Sequence, residues 1–158
     1  MTFYRIGRIG AAALGLAALT PVPAASADPP PGADAIDAYP LAQGHYSSPA
    51  PADFYAVFFK TPDGRACGIR PNGGPVGCDA VPYDAGPSVN QTVANSWGPA
   101  QYEHSDSPTF TRDVDVLPEG QRLENWGASC GVGHQGTVTC KTYGSHGFIL
   151  ASTYSVLW

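Results

Sequence analysis

The sequence predicts a small all-β domain, an antiparallel sandwich or open barrel with two hairpin disulfides. Three observations predict it. Gly (19) and Pro (16) are spread so densely along 158 residues that few long windows escape a helix breaker. Phe148, Leu150, Tyr154, Val156 and Trp158 share one parity, and Ile149, Ala151, Thr153, Ser155 and Leu157 the other, which is the period of a strand or a bent pair of strands. Four cysteines fall into two pairs, each straddling a turn signal.

The length leaves room for one domain. Residues 1–27 read as a signal peptide: Arg5 and Arg8 precede an apolar stretch from Ile9 to Leu19, and Ala25-Ser26-Ala27 supplies the small residues that signal peptidase needs. A helix of about 11 apolar residues reaches roughly 16 Å, about half of a bilayer core, so cleavage is expected and not anchoring. The mature chain is expected to begin at Asp28 and to contain no membrane span. Residues 28–51 are rich in Pro and Ala (Asp28-Pro29-Pro30-Pro31, then Ser47-Ser48-Pro49-Ala50-Pro51) and read as a disordered lead, the alternative being that Tyr39, Leu41 and Tyr46 add an edge strand.

The folded domain is expected over residues 52–158. Phe54-Tyr55-Ala56-Val57-Phe58-Phe59 is apolar on both faces, as a strand at the centre of the core would be. Residues 65–81 and 123–143 each read as a hairpin, whereas residues 82–118 read as loop. In the first hairpin, counting outward from Asn72-Gly73 pairs Ile69 with Val76 and Cys67 with Cys78, although Pro71 lacks an N–H beside the turn. In the second, a loop His134-Gln135-Gly136 with Gly in the left-handed position pairs Val132 with Val138 and Cys130 with Cys140. Cysteines opposed in this way close a disulfide without moving the backbone. A zinc site is the rival reading, but neither spacing resembles a metal knuckle.

Charge narrows the function. Without Arg5 and Arg8 the chain has six basic against 13 acidic residues, a net −7, which argues against nucleic acid as a partner. Three motif matches fail on context. Gly127-Ala128-Ser129-Cys130-Gly131 fits G-x-S-x-G without the strand-to-helix elbow, and Gly131–Gly136 fits G-x-G-x-x-G but leads into a strand. Asn90-Gln91-Thr92 is a three-residue sequon of the kind that chance often produces.

Phe58-Phe59-Lys60-Thr61-Pro62, the ordered Cys67, Cys78, Cys130 and Cys140, the strand Gly136-Thr137-Val138-Thr139-Cys140, and Ser145-His146-Gly147-Phe148-Ile149-Leu150 with Tyr154 carry a resemblance. Over residues 54–158 the chain resembles small exported proteins of mycobacteria and related actinobacteria, whose function is uncharacterised. The resemblance implies an exported actinobacterial domain. It implies no catalytic residue, cofactor or substrate.

The remaining polar candidates are sparse. His146 as general base with Glu124 or Asp115 would suit a small secreted hydrolase, but no nucleophile is fixed by spacing, and a His entering a strand commonly bonds local backbone. Glu103, His104, Asp106, Asp113, Asp115 and Glu119 lack the order of a calcium loop and read as a solvated acidic face. Trp97, Tyr102 and Phe110 form either a binding loop or a cap on the core. The function expected is a binding or interaction module at the cell envelope or in the medium, needing no cofactor. The alternatives are the hydrolase and a structural envelope protein.

Overall fold

The computed structural model describes residues 28–158. The expected signal peptide, residues 1–27, lies outside the described residues. Ten strands follow in chain order: β1 (Val57–Lys60), β2 (Ala66–Ile69), β3 (Val76–Asp79), β4 (Gln91–Asn95), β5 (Gly98–Glu103), β6 (Gln121–Asn125), β7 (Ala128–Val132), β8 (Val138–Lys141), β9 (Gly147–Leu150) and β10 (Ser155–Leu157). They form two five-stranded antiparallel meanders, β1 to β5 and β6 to β10, each with its strands in chain order. The sheets stack as a sandwich and do not close into a barrel.

Strand pairing sorts the side chains into rows with a clear division of labour. In the first sheet Phe59, Cys67, Cys78 and Thr92 lie opposite one another, and in the second Leu123, Cys130, Cys140 and Phe148 do so. Apart from Thr92, these residues join the apolar core between the sheets. The neighbouring rows, Phe58-Gly68-Gly77-Val93 and Arg122-Gly131-Thr139-Ile149, lie on the outer faces. Their glycines admit covering side chains: a Cβ on Gly77 would collide with the ring of Phe110, and one on Gly131 would stand 2.7 Å from Ile36.

Both disulfides have the expected partners, Cys67 with Cys78 and Cys130 with Cys140. The first turn is narrow despite Pro71. Asn72 and Gly73 both take positive φ (58° and 68°), as a two-residue hairpin turn requires, and the Gly74 N–H donates to the Pro71 carbonyl. Beside the turn the Arg70 N–H donates to the Pro75 carbonyl, while Pro71 and Pro75 have no N–H to return a bond. Each disulfide staples its own hairpin, so replacing Cys67 and Cys78 together by Ala should cost about 2 to 3 kcal/mol and leave Cys130 and Cys140 oxidised. Urea unfolding with non-reducing peptide mapping checks this, and a fragment of one hairpin linked to the other would refute it.

Four expectations need correction. Residues 28–51 are not an unpacked lead: the 3-10 helix Ala33–Ala38 packs on β6, β7 and β8, Ala33, Ile36 and Tyr46 are buried, and Leu41 bridges Arg122 in parallel. Ile36 and Tyr46 provide the apolar anchors that outweigh the prolines, so the folded unit starts near residue 33 and not at 52. The run from Phe54 to Phe59 is not one strand, because Tyr55 turns the chain at φ 67° and leaves Phe54 and Tyr55 in solvent. β1 is an edge strand, yet Phe58 and Phe59 are both fully buried, on opposite faces. Residues 82–118 contain the β4–β5 hairpin, and residues 123–143 carry most of three strands where one hairpin was expected.

Two carboxylates hold residues 109–112 over the first sheet. Asp79 accepts the N–H groups of Thr109, Phe110 and Thr111, the Thr111 hydroxyl and the Gln91 amide. Asp53, buried, accepts Arg112 through Nε at 2.5 Å and a terminal nitrogen at 2.8 Å. Phe110 is thereby pressed onto Phe58, Ala56 and Val114 in a second apolar cluster.

Three of the four sheet edges, those of β1, β5 and β6, meet backbone outside the regular strands. Leu117 N–H donates to Lys60 O on β1 and Lys60 N–H to Asp115 O; on β6 the Arg122 carbonyl accepts the Ala42 N–H and the Arg122 N–H donates to the Pro40 carbonyl; Ala100 N–H of β5 donates to Trp158 O.

Candidate functional site

In a meander alternate turns point the same way, and here four of them meet at one end of the sandwich. Asn72 and Gly73 (β2–β3), Ser96 and Trp97 (β4–β5), Trp126 (β6–β7) and Tyr143 (β8–β9) line a single apolar cleft of about 430 Å³. The last of these turns, at Gly144, lies against the backbone of Ser96, so the two sheets touch beneath the cleft.

The rings stand in solvent: Trp97 is 74% exposed, Tyr143 79% and Trp126 51%. Tyr55 stands edge-on to Trp126 at 6.1 Å between centroids, and Phe54 edge-on to Tyr55 at 4.5 Å, extending the aromatic surface beyond the cleft. Asparagines set both tryptophans. Asn95 Oδ1 accepts the Trp97 N–H, while Asn125 Nδ2 donates to the carbonyls of Tyr55 and Ile69 and ties the second sheet to the first beside Trp126. Trp126 occupies the first corner of a two-residue turn at φ 51°, followed by Gly127 at 79°. Asn, Asp or Gly suits that corner, and a bulky residue there costs of order 1 kcal/mol. The turn alone therefore does not account for the indole.

Trp126 and Tyr143 also wall a second, polar trough of about 560 Å³ with Asp37, Glu124, Ser129, Lys141 and Thr142. Lys141 Nζ donates to Asp34 and Asp37, both at 2.7 Å. Burial opposes its charge, but its hydrogen bonds to both aspartates outweigh this and hold its pKa above the usual lysine value. The Ser96 hydroxyl, in the wall of the apolar cleft, has no hydrogen-bond partner.

The residues singled out from sequence are dispersed. Trp97 lies in the cleft, Tyr102 hydrogen-bonds Asp84 from β5, and Phe110 is fully buried, so the three form no common loop. His146 closes the β8–β9 turn with its backbone: its N–H donates to the Thr142 hydroxyl, and its carbonyl accepts the Thr142 N–H at 2.8 Å. Its Nδ1 is buried without a partner. Neither proposed carboxylate orients it, since Asp115 accepts from the His45 N–H and Glu124 pairs with Arg122. The acidic group is scattered, with Asp113 on Lys60, Glu119 on the Gly136 N–H, and His104 between Ser88 and Asp106. Asn90 is committed to both backbone groups of Ser105. Sequence reasoning missed Trp126, Tyr143, Tyr55 and Phe54. The available signal was the recurrence of Asn-Ser-Trp-Gly at 95–98 and Asn-Trp-Gly at 125–127, two turns with a Trp beside the Gly.

Comparison with protein families, with curated proteins and with solved structures found no match. Among the described residues no helix is long and apolar enough to cross a membrane.

Proposed function

We propose that the chain is an exported binding module that holds its ligand on the aromatic cleft, at the cell envelope or in the surrounding medium. The observation that carries this reading is Trp126, an exposed indole kept at a turn corner whose backbone favours Asn or Gly, beside rings from two other turns. Contiguous exposed apolar surface rimmed by polar residues is the ordinary mark of an interaction site. Export is supported by the pattern of Arg5 to Ala27 and by two disulfides, which persist in oxidising compartments. The hydrolase reading around His146 has less support, since neither Asp115 nor Glu124 bonds it.

Co-sedimentation of the mature chain with insoluble cell envelope tests the reading against a Trp97→Ala, Trp126→Asn variant. Truncating a central aromatic anchor commonly costs about 2 kcal/mol, so the affinity read from the co-sedimentation isotherm should fall about 30-fold. Asn suits the left-handed corner, so the variant should melt no lower than the parent by more than a degree or two. Equal retention of the two proteins, or retention of neither, would refute the cleft as the binding surface.

A further inference from the structure

We infer that the apolar cleft and the polar trough together take a neutral polysaccharide, with one sugar ring lying on the indole of Trp126 and its neighbours running along both depressions. The inference rests on the cleft being the binding surface and names its ligand class. A sugar ring has two unlike surfaces: a face of C–H groups, whose partial positive charge suits the electron-rich face of an aromatic ring, and a rim of hydroxyls that both donate and accept. The site has the same division. Trp97, Trp126 and Tyr143 offer exposed aromatic rings, and past the two residues shared by cleft and trough the lining changes to Glu124, Ser129, Lys141 and Thr142. Proline-rich peptide would use the rings but has few side-chain groups for such a trough.

Charge selects a neutral chain. Lys141, the cation lining the trough, is already bonded to Asp34 and Asp37. Nearby, Arg122 is held by the Tyr39 carbonyl and Glu124, and Arg70 by Asp53 and the Thr109 carbonyl. A uronate or phosphorylated chain would meet Asp37 and Glu124 in the trough without a cation free to answer it. The extension through Tyr55 and Phe54 favours a polymer over a single sugar, because a longer chain covers more rings.

Affinity electrophoresis and tryptophan fluorescence with a β-1,4-glucan, a β-1,3-glucan, an α-1,4-glucan and an α-mannan test the inference, with polygalacturonate and a decaproline peptide beside them. At least one neutral polymer should retard the protein and shift its indole emission to shorter wavelength, with little change between 50 and 500 mM salt, about the range over which exposed charges become screened. Trp126→Asn should weaken that binding at least tenfold. Glu124→Ala should weaken it severalfold while leaving the cleft intact, a loss that an apolar partner would not produce. Binding of none of the four neutral polymers, tighter binding of polygalacturonate, or preference for decaproline would overturn the inference. Should envelope retention still depend on Trp97 and Trp126 in that case, the cleft remains the binding surface and only the ligand class falls.

Discussion

Replacing Asp53 by Ala should destabilise the protein by about 3 to 5 kcal/mol, the cost of breaking a buried charge pair by deleting one partner. The carboxylate is 2% exposed, paired with Arg112 through two nitrogens and 3.5 Å from Arg70. Without it, two guanidinium groups that lie over the Phe58 ring at 4.8 and 5.7 Å lose their counter-charge. The hydrogen bond from Arg112 is the main cause that lowers the Asp53 pKa to about 2, against the resistance of burial. A carboxyl of the unfolded chain titrates near about 3.9, so this stabilisation is complete above about pH 5 and is lost as pH falls through about 2; its size is about 2 to 3 kcal/mol. Urea unfolding between pH 6.5 and 2 should therefore show a loss of stability that Asp53→Asn lacks. If both proteins weaken in parallel, Asp53 does not carry the acid sensitivity.

Phe58→Ala should cost about 3 to 5 kcal/mol, the usual cost of removing a fully buried Phe. The ring fills the trough that Gly68 leaves on the outer face of the first sheet and touches the cluster of Ala56, Phe110 and Val114. It is also the surface on which Arg70 and Arg112 rest, each such contact adding about 0.5 to 1 kcal/mol. Phe58 and Asp53 thus share both arginines, and their effects should not add: a double-mutant cycle should return a coupling above about 1 kcal/mol. Denaturation of the four proteins measures it, and a double variant equal to the sum of the singles within about 0.5 kcal/mol would show that the two groups act independently.

The two disulfide hairpins were legible in the sequence because their information is local: turn chemistry at Asn72-Gly73 and Gly136 sets a register, and the register places the cysteines. β4 and β5 were not legible. Gln91 and Asn95 end one, and Gly98-Pro99 opens the other, so neither presents the apolar run by which a strand is recognised. The lead from residue 33 was hidden by its prolines, since two side chains, Ile36 and Tyr46, do most of its anchoring. Phe110 and Trp97 read alike, as aromatics in a loop-rich stretch. What separates them is tertiary: Asp79 draws Phe110 inward, whereas the β4–β5 turn holds Trp97 outward. The cleft itself joins four turns that lie far apart along the chain, and no local pattern announces their meeting.

A sheet edge with free N–H and C=O groups invites another molecule to add a strand, and two meanders have four such edges. Three of them meet backbone of the same chain: β1 beside Val116, β6 beside Leu41, β5 beside Trp158. The fourth, β10, is three residues long and offers little to copy. Segments without regular structure thereby guard the fold against edge-to-edge addition of further strands, the first step of fibrous self-association.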